Sequence, residues 1–195
     1  MAITLSGDGI TSDNITSLAA SKLTGQVADA NAPSGSVIQV VQTVKTDFFA
    51  TSSTSAVDIT GLSASITPSS SSNKILILAN ISYSNSQYTN GGFSACYFWV
   101  TDGSNNVIGQ ADADGARQRV SMGGHSFYQA GNILQKQFTF LWSPGTTSAQ
   151  TVKMRTAAST SGDVTVCKSY NENNVGTPGG NFTAISQITL MEISP

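Results

Sequence analysis

Ionised side chains are scarce in this sequence. Asp, Glu, Lys and Arg make up 10% of its 195 residues, nine bases and eleven acids, with a single histidine; an average soluble domain carries about 25% charged residues. A net charge of -2 and a pI near 5.1 leave no basic footprint to neutralise phosphates, so nucleic acid is not expected as a partner. No apolar run approaches the ~20 residues of a membrane-spanning helix, and no membrane insertion is expected. The first residues lack the basic segment and apolar core of a secretory signal, so the chain is expected to be made in the cytoplasm without secretion.

Reactive groups are equally few. Cys96 and Cys167 lie far apart inside apolar stretches, without metal-ligand spacing, and are predicted to be reduced, buried small hydrophobes. His125 sits in Met122-Gly123-Gly124-His125-Ser126, predicted as a loop, with no Gly-x-Ser-x-Gly elbow near it. The acids are scattered singly, and a glycan-cleaving site needs two placed opposite each other. Asp112 and Asp114, two residues apart before Gly115, could serve a hard cation. The other ligands of an EF-hand loop are missing, however, and Arg117 and Arg119 follow at once, predicted on one side of a strand. Ion pairing within or between subunits is therefore the preferred reading of that patch. No catalytic residue, metal or cofactor is assigned.

Hydroxyls take the place of charges. Ser and Thr together number 51, and they solvate a surface while suiting strands. The hydrophobic 39% falls in periodic runs, which sets the chain apart from a disordered tail. At 20.2 kDa the length fits one domain plus an appendage. We divide it into residues 1–32, an N-terminal attachment arm and linker, and residues 33–195, a β-domain.

In the arm, Thr11-Ser12-Asp13-Asn14 offers capping side chains, Ile15, Leu18, Ala19 and Leu23 recur at helical spacing, and Gly25 is a natural stop. A helix there would be ~18 Å long and marginal alone. Its stripe, Ile15, Leu18 and Leu23, is thus assigned to partner binding, against symmetry mates on a threefold axis or a socket in another protein. The alternative is that the arm folds back on its own β-domain.

From Val37 the pattern is β throughout. Ile38, Val40, Val44 and Phe48 fall on one face and Val37, Val41 and Phe49 on the other, so a neighbouring copy could cover one side. Val57 to Ile66 alternates with a shift at Gly61 that predicts a bulge. In Lys74 to Tyr83, Ile75, Ile77, Ala79, Ile81 and Tyr83 fill one face and Leu76 and Leu78 part of the other. Further strands are expected at Phe93 to Val100, Ile133 to Trp142, Gln150 to Thr156, Val164 to Tyr170 and Thr183 to Ile193. Thr101 to Asn106 reads as a strong turn leading into Val107 and Ile108. Eight or more strands with no helix between them predict an all-β, antiparallel two-sheet sandwich of jelly-roll type. The apolar last strand should be central, beside the Val37 strand.

The order GSVIQVVQTVKTDFF, VDITGLSASITPSSSSNKILILANISYS, IGQADADGARQR and FTAISQITLMEI resembles a recurrent module of bacteriophage tail fibres and virion structural proteins, of the type met in marine phages. The resemblance covers residues 33 to 195, and the leader ending KLTGQVADANAPSG is similar to the stems of such proteins. It implies a virion component assembled in the host cytoplasm and carries over no functional residue. Together with the two-sided strands it leads us to expect a homotrimer that contacts other virion proteins, of tail or capsid. A tail fibre or fibre tip is the leading expectation, a capsid decoration protein the alternative, and a polysaccharide-degrading spike ranks last. Two loops rich in Asn, Gly and Tyr, with Tyr88, Asn90, Asn171 and Asn174, have the rings and amides that a host surface glycan would need.

Overall fold

In the first strand, Ser36 N–H donates to Pro33 O, closing a turn in which Gly35 takes φ +82°, and the β-branched run then extends as β1 (Val37–Lys45). The computed structural model describes residues 32–85, 94–126, 133–159, 162–169 and 182–195. Nine more strands follow: β2 (Phe49–Thr51), β3 (Val57–Ile66), β4 (Lys74–Asn85), β5 (Ser94–Asp102), β6 (Met122–Ser126), β7 (Leu134–Trp142), β8 (Gln150–Ala158), β9 (Val164–Val166) and β10 (Ser186–Ile193). There is no helix among the described residues.

One sheet runs β1-β10-β4-β9-β2 with β7 on the other edge of β4, and the second runs β3-β8-β5-β6. All pairings are antiparallel. The larger sheet is in effect four lanes wide. β10 pairs with Lys74 to Asn80 of β4 and β9 with Tyr83 to Asn85, so the two lie end to end in one lane. β1 and β2 share the next lane in the same way, against β10 and β9. Counted as eight lanes in chain order, the sheets read 1-8-3-6 and 2-7-4-5. This is a double Greek key, the jelly roll expected from the strand spacing, with the last strand central and beside β1.

The core fills the space between the sheets from the inward phase of each strand. Ile75, Ile77, Ile81 and Tyr83 of β4 face a layer that includes Leu62, Ala64, Phe98, Val100, Val152 and Met154, all within 4% of full burial. Tyr83 and Phe98 meet edge to face across the layers, centroids 5.0 Å apart. The predicted bulge at Gly61 is present, with φ +80° and a register break between Asp58 and Ser63.

One expectation here needs correction. Met122 to Ser126 is a strand, paired residue for residue with Ser94 to Phe98. Its glycines hide it from a pattern search, yet Gly124 is required there, because a Cβ at this position would collide with the Tyr83 hydroxyl. The turn expected over Thr101 to Asn106 is present: Asp102 N–H donates to Asn106 O and Ile108 N–H to Val100 O about a Thr101–Val107 bridge, and the Asp102 carboxylate caps Ser104 N–H (2.8 Å) and Asn106 N–H (2.9 Å).

The sandwich is polar along its length. Gly35 N–H donates to Ser194 O, Ser194 N–H to Ser36 O, and Ser194 Oγ to Pro33 O, so both ends of the module are clamped together at one pole. The connections 86–93, 127–132 and 160–161 leave from, and return to, strand ends at the other pole, near Asn85, Ser94, Ser126, Leu134 and Ser159, whereas 170–181 leaves the β9/β10 lane opposite Ser82, short of that pole.

Candidate functional surface

The residues assigned from sequence to partner binding, Ile15, Leu18 and Leu23, and to a host surface, Tyr88, Asn90, Asn171 and Asn174, lie outside the described residues. The structure fixes the framework from which the second set departs. Short of the far pole the β9/β10 lane is interrupted. Cys167 leaves it with φ +68° and donates its N–H to Ser82 O, and the chain re-enters at Ser186, whose Oγ accepts Ser82 N–H. Between them a Lys168–Thr183 bridge and a bond from Ser169 N–H to Phe182 O stitch the neck of the excursion that carries Asn171 and Asn174. Lys168 Nζ stands 4.1 Å over the Phe48 ring, joining that neck to the β1–β2 corner.

The groups considered for chemistry do not converge. His125 lies on β6, not in a loop, its backbone opposite Ala95. Asp112 and Asp114 occupy an irregular segment and not a strand; Asp114 pairs with Arg117, while Arg119 Nε donates to Ala111 O at 2.8 Å. The pairing expected for this patch is thus present within one chain for Asp114. Among the described residues no three His, Cys, Asp or Glu side chains are placed to hold a metal ion. Cys96 and Cys167 are free and buried. Burial pushes the Cys96 thiol up to about 12, and Cys96 Sγ–H points at Gly124 O, which suits an inert core thiol and not a nucleophile.

Two fully buried charges point into the sandwich, and sequence reading passed over both. Glu192, fully buried, follows Ile188 and Leu190 on the inward phase of β10. Its carboxylate accepts from Ser69 N–H (2.7 Å), Ser69 Oγ–H (2.8 Å), Asn73 Nδ2 (2.5 Å) and Gln39 Nε2 (2.5 Å). Burial works against the anion, and these donors outweigh it, holding the carboxyl below its ordinary range. The Ser-rich connection between β3 and β4 is thereby tied to the last strand. Lys45 ends β1 on the inward phase with its side chain 1% exposed, its ammonium 2.9 Å from Asp47, whose carboxylate is 77% exposed. Gly61 lies beside this ammonium, its missing Cβ leaving 3.6 Å of clearance.

The outer face of the larger sheet has a different character. Register aligns Val40, Met191, Leu76 and Leu141 in one row across β1, β10, β4 and β7. The next row is Gln42, Thr189, Leu78 and Thr139, with Gln42 Nε2 donating to Thr189 Oγ1 at 3.0 Å. The third is Val44, Gln187, Asn80 and Gln137. Val40 is 55% exposed and Leu141 46%. A shallow depression of about 210 Å³ opens between the rows, lined by Leu78, Asn80, Gln137, Thr139 and Gln187, and Asn80 Oδ1 is buried there without a hydrogen-bond donor. Of the outward positions on these four strands only Lys74, at the rim, is charged.

No protein-family model matches the chain, and no curated protein matches it. Among solved structures it is similar to the VP2 protein of infectious bursal disease virus in derived T=1 particles, at 10% identity and a TM-score of 0.36, over 89% of this chain and 45% of that one. It is also similar to the Gx strain of the same virus, at 13% identity and TM-score 0.34 over 80% of this chain and 41% of that one, and to a VP2 subviral particle, at 13% and 0.32 over 80% and 42%. The chain spans less than half the length of these proteins.

Proposed function

We propose that this chain is a non-enzymatic phage virion structural protein: a homotrimeric tail-fibre or fibre-tip component, anchored to the particle by residues 1–32 and presenting its far pole to the host surface. The observation that carries this reading is the polarity of the jelly roll. Pro33 and Ser194 are clamped together at one pole, so an arm preceding Pro33 departs from there, while the connection bearing Tyr88 and Asn90 joins strand ends at the opposite pole and the one bearing Asn171 and Asn174 leaves the sheet opposite Ser82, in the half nearer that pole. A module held at one end and reading a surface with the other is what a fibre tip requires. The resemblance of residues 33–195 to tail-fibre modules supports the same assignment.

Host adsorption of particles carrying Tyr88→Ala with Asn174→Ala tests it. Adsorption is expected to fall at least severalfold while heat and osmotic resistance of the particle stay unchanged. Unchanged adsorption with lowered resistance would instead support a capsid decoration protein, for which the uncharged sheet face is the favouring observation. Release of reducing sugar ends from host polysaccharide, lost on changing Asp112 or Asp114, would overturn both binding readings.

A further inference from the structure

We infer that the outer face of the larger sheet, the rows running from β1 through β10 and β4 to β7, is the surface on which copies of this chain meet. The inference rests on the oligomeric part of the reading above and names its interface. Three observations on this face point to a second copy as the occupant.

The first is chemistry. The face mixes Val40, Met191, Leu76 and Leu141 with amides and hydroxyls, and each amide carries both a donor and an acceptor. Around a threefold the β1 side of this face on one copy would meet the β7 side on the next, and both sides carry amides (Gln42, Gln137) beside apolar residues (Val40, Leu141), whereas a charged partner would find no counter-charge inside the rim. Asn80 Oδ1, buried in the depression with no donor, is an acceptor open to a donor from outside, which a Gln N–H or a Thr O–H of the next copy would supply.

The second is the edge. β1 pairs on one side only among the described strands, and its exposed residues are Val37, Val40, Gln42 and Val44, with Phe48 just beyond. Its one charge, Lys45, is turned inward. A free edge without outward charge, proline or bulge along Val40 to Val44 is a liability in an isolated monomer, and covering it with a neighbouring subunit removes that liability.

The third is size. Four lanes at ~4.8 Å and about eight residues at ~3.3 Å give a patch of roughly 500 Å² in projection. Side-chain relief and the flanking Phe48 and Ile185, both exposed, bring it towards the ~800 Å² per partner of a standard stable interface.

The test uses the full chain and light scattering at low micromolar concentration. Wild type is expected at a multiple of the 20.2 kDa chain mass, three for the trimer. The double variant Val40→Lys with Leu141→Lys is expected at the monomer mass with an unchanged far-ultraviolet spectrum. Ser63→Lys, on the outward phase of the other sheet, is expected to keep the assembly. If the double variant folds and retains the wild-type mass, the interface lies elsewhere and the inference is overturned while the trimer reading stands. If it fails to fold, cysteines at positions 40 and 141 in separate chains, mixed and oxidised, decide the matter. Cross-linking between chains supports the inference and its absence overturns it. A monomeric wild type whose residues 1–31 cross-link to Leu141 would make the leader the occupant and overturn both.

Discussion

The two sheets of this sandwich place their charges on opposite sides. In the larger sheet Glu192, Lys45 and, on β7, Lys136 lie on the inward phase and the outer face is uncharged but for its rim. In the smaller sheet the outer face carries Asp58, Lys153 and Arg155, with Asp58 paired to Lys153 Nζ (2.9 Å) and Arg155 Nε (2.8 Å) across the β3–β8 seam. Beside them Trp99 is covered by the 103–121 connection, its Nε1–H donating to Arg119 O at 2.8 Å. One face is thus finished within the chain, by ion pairs and a covering loop. The other is left with apolar rows and an amide acceptor unmet. Low overall charge is therefore not evenly spread dilution. It is a vacancy on one face, and that vacancy is what the proposed subunit contact rests on.

The largest effect is expected where a charge sits inside the larger sheet. Glu192→Ala removes the acceptor of Ser69, Asn73 and Gln39 together and leaves buried donors unmet, at about 3 kcal/mol of stability. Urea midpoints at neutral pH measure it. The pH dependence follows from the depressed carboxyl. The Glu192 contribution is fully present above the unfolded value near 4.5 and disappears as pH falls through the lower folded value. Glu192→Ala should therefore lose less additional stability than wild type between pH 5 and pH 3. Equal acid sensitivity in the two proteins would show that the clamp on the Ser-rich connection contributes nothing.

Lys45 sharpens the contrast, because an inward charge need not be a stabilising one. Its stem packs in the sandwich while its ammonium meets a single, largely hydrated carboxylate. Replacing a buried ion by an apolar group of similar shape is often neutral, since the desolvation cost disappears with the charge. Lys45→Met is expected within about 1 kcal/mol of wild type, in contrast to about 2 kcal/mol lost for Lys45→Ala, which removes the stem as well. A larger loss for Met than for Ala in thermal denaturation would assign Lys45 a polar role that its ion pair with Asp47 alone does not account for.

Strand identity, the inward phase of β4 and the central place of β10 were legible in the sequence, because alternation is local and each run of Val, Ile or Leu reports its own phase. Glu192 was legible in principle: it continues the phase of Ile188 and Leu190, and a carboxylate on that phase must meet donors. What alternation cannot supply is register. Val40, Leu76, Leu141 and Met191 become one row only when four strands distant in sequence are aligned, and a slip of one residue in any of them would turn its side chain to the core. The β6 strand escaped for a related reason. Its information lies in the side chain Gly124 lacks, which shows only once Tyr83 is seen opposite.

The smallest effect belongs to the ion pairs on the finished face. Asp58 is about half exposed, and its carboxyl is held below the ordinary range first by the hydrogen bond from Lys153, then by the charges of Lys153 and Arg155, against a smaller cost of burial. Such pairs are worth about 0.2–1 kcal/mol, so Asp58→Asn is expected to cost roughly 0.5 kcal/mol at low salt. The contribution is present above the unfolded value near 4 and is lost as pH falls through the folded one. At 1 M salt the screening length shrinks to about 3 Å, and the difference between Asp58→Asn and wild type should shrink with it. Subunit association through an uncharged face has no such ions to screen, so the mass measured by light scattering should not fall over the same salt range. Dissociation of wild type by salt, at unchanged folding, would locate the contact on the ion-paired face and reverse the comparison.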